Sequence, residues 1–238
     1  MNHNKNIFIT IFLFFLFFLI LYNKHIKFSN RKKIKFINDL YNQNFRLSVI
    51  VLNYNRPHNI PILVNKLKKN KLIDDIIISH GKEDTEILIN DPIVTNETIL
   101  RNKYYSATRF ELSKMAKNNF ILFTDDDLYP DISLISDILL EIKEDGFENN
   151  LNLYSPFKRN CVKKYSYKIQ EIDVYTKLNL SKSNIVLTKL AIVNKNTAIK
   201  VWDKIKNTKY DDYVGMNNYK NIEVRQKYSI GNMISFFV

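Results

Sequence analysis

The chain is predicted to be an α/β protein: a Rossmann-like, mostly parallel sheet with helices on both faces, preceded by an N-terminal transmembrane helix. Three observations predict this. Short apolar runs rich in β-branched residues alternate with segments of helical periodicity, and such strand–helix alternation implies parallel pairing with both sheet faces covered. One run, Phe120 to Phe123, leads through Thr124 into three consecutive aspartates, Asp125, Asp126 and Asp127. Ahead of all of them, Ile7 to Tyr22 is apolar except for Thr10.

That first run is 16 residues long, about 24 Å as a helix, slightly short of the roughly 20 residues a bilayer span usually takes. Tyr22 at the interface and snorkelling lysines make the shortfall tolerable. No small-residue cleavage site follows it; Asn23-Lys24-His25 comes at once, so an anchor is expected rather than a removed signal peptide. The domain reading is therefore a membrane anchor over 1–22, a basic stem over 23–46 and a globular domain over 47–238. Basic residues after the span favour a cytoplasmic body. The sequons Asn96-Glu97-Thr98 and Asn179-Leu180-Ser181 suit a luminal one, so the sequence leaves the membrane side open.

The 238 residues are 45% hydrophobic and 13% aromatic, enough apolar material for a real core. Lys, Asn, Ile, Phe and Tyr abound, as A/T-rich codons would produce, which weakens arguments from the net charge of +12. Half of that excess comes from Lys24, Lys27, Arg31, Lys32, Lys33, Lys35 and Arg46 against Asp39. A local cluster beside an apolar run is not a nucleic-acid groove, and no nucleic-acid partner is expected. Cys161 is the only cysteine, which excludes an intrachain disulfide and a cysteine zinc site. The histidines His3, His25, His58 and His80 are too scattered for a metal cluster.

Leu47 to Leu52 reads as the first strand, ending in Asn53-Tyr54-Asn55-Arg56-Pro57. Ile60 to Lys71 reads as an amphipathic helix with Ile60, Leu63, Val64 and Leu67 on one face. Ile73 to Ser79 is strand-like again, closed by His80-Gly81. A helix from Ala107 to Lys117 precedes the aspartate strand. Another starts at Asp131 or Ser133, carries Ile132, Ile135, Leu139 and Ile142 as a stripe, and stops at Gly146.

The acidic triplet points to function. Carboxylates crowded at a strand end repel one another, and a divalent cation with a phosphate ligand removes that cost, because hard oxygen donors suit Mg²⁺ or Mn²⁺. The carboxyl ends of strands are also where open α/β sheets bind ligands. In an extended segment Asp125 and Asp127 point one way and Asp126 the other, so a pair can share the metal site while Asp126 makes another contact. The alternative is that Asp126 or Asp127 merely caps the following helix. Asn55 and Arg56, after the first strand, lie at the mouth of the same crevice, where an arginine suits a pyrophosphate. Arg109 is placed to reach the nucleotide or to pair with an aspartate.

In this order of parts the chain resembles metal-dependent glycosyltransferases of the GT-A type, and among them the exostosin-like family. Arg109-Phe110 ahead of Ile121-Leu122-Phe123-Thr124-Asp125-Asp126-Asp127 carries the resemblance. So do Phe157-Lys158-Arg159, Asn184-Ile185-Val186-Leu187-Thr188 and Asp211-Asp212-Tyr213-Val214-Gly215-Met216-Asn217. The resemblance implies that Asp127 ligates Mn²⁺ (or Mg²⁺) bridging the diphosphate of a UDP-sugar donor, with Asp125 near the metal and ribose. It further implies that Asp212, or Asp211, works at the reacting centre, where a carboxylate stabilises oxocarbenium character or takes the acceptor hydroxyl proton. A glycan or glycoprotein acceptor follows from the same likeness. Departures are a missing glycine before Phe157, Lys189 in place of glycine, one extra residue in the last motif and no cysteine pair; Arg225 matches no motif. The acceptor side is therefore expected to be reduced or built differently. Two other readings stay open: a nucleotidyltransferase, against which the lack of glycine in Asn53 to Pro57 counts, and a membrane-tethered module that binds without catalysis.

Overall fold

The computed structural model describes residues 14, 15, 17, 22, 29–99, 107–147, 153–155 and 190–207, and the backbone of 158–163, 166–168 and 185–186. Helix α1 covers residues 29–42. Then follow β1 (Leu47–Asn53), α2 (Ile60–Leu67), β2 (Ile73–His80), β3 (Val94–Glu97), α3 (Thr108–Leu112), β4 (Phe120–Asp125) and α4 (Ile132–Asp145). The described remainder is β5 (Leu153–Tyr154), β6 (Lys158–Lys163), β7 (Ser166–Lys168), β8 (Ile185–Val186), β9 (Leu190–Asn194) and α5 (Lys195–Asn207).

Six strands form a sheet in the order β3-β2-β1-β4-β9-β5. β1, β2, β3 and β4 are mutually parallel, while β9 runs antiparallel to both β4 and β5. The alternation of side chains along the strands sorts the core into two clusters. Val49, Val51, Ile76, Ile78 and Leu122 face one way and meet Ile37 and Leu40 of α1, Leu63 and Leu67 of α2, and Ile138 and Leu139 of α4. Ile50, Ile77, Ile121, Phe123 and Val193 face the other way and meet Phe110 and Leu112 of α3 and Val201 and Trp202 of α5. Both faces are covered, which is why the parallel strands read as unbroken apolar runs. The expected mostly parallel α/β sheet is present. A smaller antiparallel sheet, β7-β6-β8, stands beside it in the chain order.

Several boundaries differ from expectation. The helix expected over Ile60 to Lys71 stops at Leu67, where successive turns through Lys69 and Asn70 replace the helical pattern and the Asn70 Oδ1 accepts from the Leu72 amide. The helix expected over Ala107 to Lys117 shrinks to α3, whose end is tied off by the Ser113 hydroxyl donating to the Arg109 carbonyl at 2.8 Å. β4 runs two residues further than its apolar stretch and takes in Asp125.

Part of the segment read as a stem is a folded element. Ile37 and Leu40 are 3% and 5% exposed, and Lys33 Nζ donates to Ser133 Oγ and Asp137 Oδ2, each at 2.8 Å. α1 therefore belongs to the domain core. Among the described residues no helix is long and apolar enough to cross a membrane. Of the apolar run, Phe14, Phe15, Phe17 and Tyr22 are described, all helical and exposed; the rest lies outside the described residues.

Candidate active site at the ends of β1 and β4

Neighbouring β1 on one side is β2 and on the other β4, so the strand order switches direction between β1 and β4. At such a switch the two following loops part and leave a crevice beyond the carboxyl ends of the strands. Leu52 pairs in register with Asp125, which sets the loop after β1 directly against the acidic triplet.

The three aspartates have three different fates. Asp126 is 4% exposed and turns into the β1 loop. Its Oδ2 accepts the backbone amides of Tyr54, Asn55 and Arg56 at 3.0, 3.1 and 3.0 Å, and its Oδ1 accepts from Arg56 Nη1 at 3.1 Å. Asn59 Nδ2 closes the clamp on the Asp126 carbonyl at 2.9 Å. Charge-assisted bonds of this kind are the strong ones. Asp126, grouped by its sequence with the cofactor-binding residues, has both carboxylate oxygens engaged by the β1 loop.

Asp125 lies at the crevice with 31% of its side chain exposed, and Arg109 Nη2 donates to its Oδ1 at 2.7 Å. Arg109 itself is 2% exposed, with its guanidinium 5.7 Å from the Phe123 ring centre. Burial pushes the Asp125 carboxyl above its ordinary range; Arg109 opposes the rise, and the charges of Asp127 and Asp126 add to it. Asp127 is the open one, 45% exposed, with Arg56 Nη1 at 3.1 Å from its Oδ2. One guanidinium nitrogen therefore bridges Asp126 and Asp127. The helix-cap alternative for the triplet does not hold: α4 is capped by Asp131, whose Oδ1 accepts from the Leu134 amide at 2.7 Å.

The loop after β2 completes this side of the crevice. Asn53 Nδ2 donates to the Thr85 carbonyl at 2.8 Å and lies 3.0 Å from His80 Nδ1. His80 Nε2 lies 3.4 Å from Asn96 Oδ1. The imidazole is thus held from both sides, by Asn53 and Asn96. His80 is fully buried, so its place is in the frame and not on a ligand. Asn96 also bonds the Ile89 amide and carbonyl, so the first sequon is built into the fold. Lys82, which sequence reasoning missed, donates to Asn55 Oδ1 at 2.9 Å and stands 4.4 Å from the Tyr54 ring centre. Nothing in its sequence context marks it; only the β1–β2 pairing brings it there.

Asp211 and Asp212 lie outside the described residues, as do Phe157, Asn184, Leu187 and Thr188. Of the two middle segments that carry the resemblance, Lys158-Arg159 in β6 and Ile185-Val186 in β8 pair with each other, Lys158 opposite Val186 and Arg159 opposite Ile185. Among the described residues no three His, Cys, Asp or Glu side chains form a metal-holding group. The donor set nevertheless fits a Mg²⁺- or Mn²⁺-nucleotide: such ions are held by one or two carboxylates, with phosphate oxygens and waters supplying the rest. Asp127 and Asp125 are hard-oxygen donors at the crevice. A separate cavity of about 440 Å³ lies between α1 and the far end of α4, lined by Phe36, Leu40, Lys143 and Phe147 among others. It is at the opposite end of α4 from the triplet and takes no part in this site.

The fold defines the class as an α/β protein with a mostly parallel, Rossmann-like sheet, and the triplet stands at the switch point of its strand order, where sheets of this kind bind ligands. No family model and no curated protein matches the chain. Among solved structures it is similar to the 2-C-methyl-D-erythritol 4-phosphate cytidylyltransferase of Francisella tularensis, with 10% identity and a TM-score of 0.40 over 79% of this chain and 88% of that one. So remote a likeness assigns neither substrate nor reaction.

Proposed function

We propose that this chain is a metal-dependent glycosyltransferase of the GT-A, exostosin-like type, transferring a sugar from a nucleotide-sugar donor, in first place a UDP-sugar, to a glycan or sugar acceptor. The observation that carries the reading is the division of labour in the triplet. Asp126 is spent on the protein, while Asp125 and Asp127 are kept at the crevice beside Arg56 and Arg109. A partly exposed carboxyl raised by burial and flanked by cations, at the carboxyl end of a central strand, has the features of a site for a charged ligand.

In this reading Asp127 and Asp125 hold Mn²⁺ or Mg²⁺, which when bound neutralises charge developing on the departing diphosphate. Arg56, half exposed at 49%, moves from its carboxylates to the pyrophosphate. Asn55 and Lys82 line the nucleotide side. Arg109 stays buried and sets the orientation of Asp125. Asp212, with Asp211 beside it, is assigned the reacting centre by the family resemblance, as stabiliser of the sugar cation or as base for the acceptor hydroxyl. Residues 7–22 serve as the membrane anchor. The nucleotidyltransferase alternative loses ground at the β1 loop. The amides of Tyr54, Asn55 and Arg56, which would cradle a triphosphate there, are already saturated by Asp126.

Isothermal titration with UDP, with and without Mn²⁺, tests the reading, followed by a screen for UDP released from the common UDP-sugars. The expected outcome is Mn²⁺-dependent UDP binding that Asp127→Ala abolishes. Metal-dependent binding with no transfer to any acceptor would instead make the chain a binding module. No UDP binding at all would remove both.

A further inference from the structure

The direction of α1 fixes which end of the sheet its first residues stand at. α1 lies alongside α4 and runs the same way: Lys33 is bonded to Ser133 and Asp137 near the start of α4. Lys143, near the end of α4, stands 5.4 Å from the Phe36 ring centre. α4 leaves the sheet from the triplet, its cap Asp131 following Asp127 closely. At its other end α1 passes through a short turn into the first residue of β1, Leu47. The start of α1 is therefore at the carboxyl edge of the sheet, beside the crevice. From Tyr22 to residue 29 a fully extended chain reaches at most roughly 25 Å.

The free side of α1 has a definite chemistry. Residues 23–35 contain six basic and no acidic side chains. Lys33 is committed to Asp137, but Arg31 and Lys35 are exposed, with Ile34 51% exposed between them. Ile37 and Leu40 bury the opposite side. Immediately upstream in sequence, the helical Phe14, Phe15, Phe17 and Tyr22 are 56–66% exposed. A helix with basic and apolar groups on its free side, adjoining an exposed aromatic run, matches a surface of anionic headgroups over hydrocarbon.

We propose that α1 seats its Arg31–Lys35 face on an anionic lipid surface, so that the crevice opens beside the membrane. This rests on the anchoring of residues 7–22 in the reading above, and the partner is the lipid itself. The full chain carrying Cys161→Ser is labelled with a fluorophore at Ile34→Cys, or at Lys117→Cys at the other end of the sheet. It is then placed in lipid nanodiscs with and without phosphatidylserine, all containing headgroup-quencher lipid. The Ile34 label should be quenched several-fold more in the anionic discs, and raised salt or Arg31→Glu with Lys35→Glu should reverse it. Each basic residue near such a surface is worth about fivefold in partition. The Lys117 label should not respond. Equal quenching at Ile34 in both lipids overturns the docking and leaves the anchor standing. A chain that enters neither kind of disc overturns both. UDP titration of the same samples reads the transferase proposal independently.

Discussion

Asp126 and its neighbours show how one residue type serves three purposes within three positions. Taking a carboxylate out of water is costly unless it is fully bonded, and Asp126 meets that condition with three amides and a guanidinium. Asn in its place keeps one acceptor but turns a donor toward facing N–H groups. Asp126→Asn is therefore expected to lower stability by about 2–3 kcal/mol, measured by chemical denaturation, and to weaken UDP binding through disorder of Asn55 and Arg56. Asp125 is the opposite case. Its carboxyl is raised from the usual 3.8, chiefly by burial, so the folded state favours the protonated form. An acid raised in this way contributes stability that is present at low pH and is lost as pH climbs from the unfolded value through the folded one. Asp125→Asn is expected to be at least as stable as the parent at pH 7, with any advantage vanishing near pH 3, while Mn²⁺-dependent UDP binding falls. Denaturation at the two pH values checks it, and a clearly less stable variant at pH 7 would mean that Arg109 outweighs burial.

At the scale of elements, strands were legible and helix ends were not. Leu47 to Leu52 and Phe120 to Phe123 are apolar on both faces, which only a sheet covered on both sides accommodates. The ends of α2 and α3 were set by local competitors, the Asn70 turn and the Ser113 back-bond, which periodicity does not register. α1 was hidden for another reason: its lysines and asparagines dominate the composition, and the pair Ile37 and Leu40 becomes an apolar face only once α4 is alongside. Leu40→Ala is expected to cost about 2–4 kcal/mol, as for other large-to-small changes in a core. A loss near zero in thermal or chemical unfolding would return α1 to the status of a linker.

For the molecule as a whole, a ligand that binds only the folded crevice stabilises it by mass action. At a hundredfold excess over Kd the gain is about 2.7 kcal/mol. In a chain of this size that amounts to a rise in Tm of roughly 5–10 °C. The rise is expected when UDP and Mn²⁺ are present together, to be much smaller with either alone, and to disappear on chelation; thermal-shift measurements decide it.

From the sequence alone came the alternation of strand and helix, the apolar N-terminal run and the acidic triplet, because periodicity and charge crowding are local properties of the chain. The distribution of roles among Asp125, Asp126 and Asp127 was beyond it. That depended on Leu52 standing opposite Asp125 across β1 and β4, which brings amides some seventy residues away onto one carboxylate. Hydrogen bonds act over about 3 Å, and only the folded sheet decides which distant groups come that close.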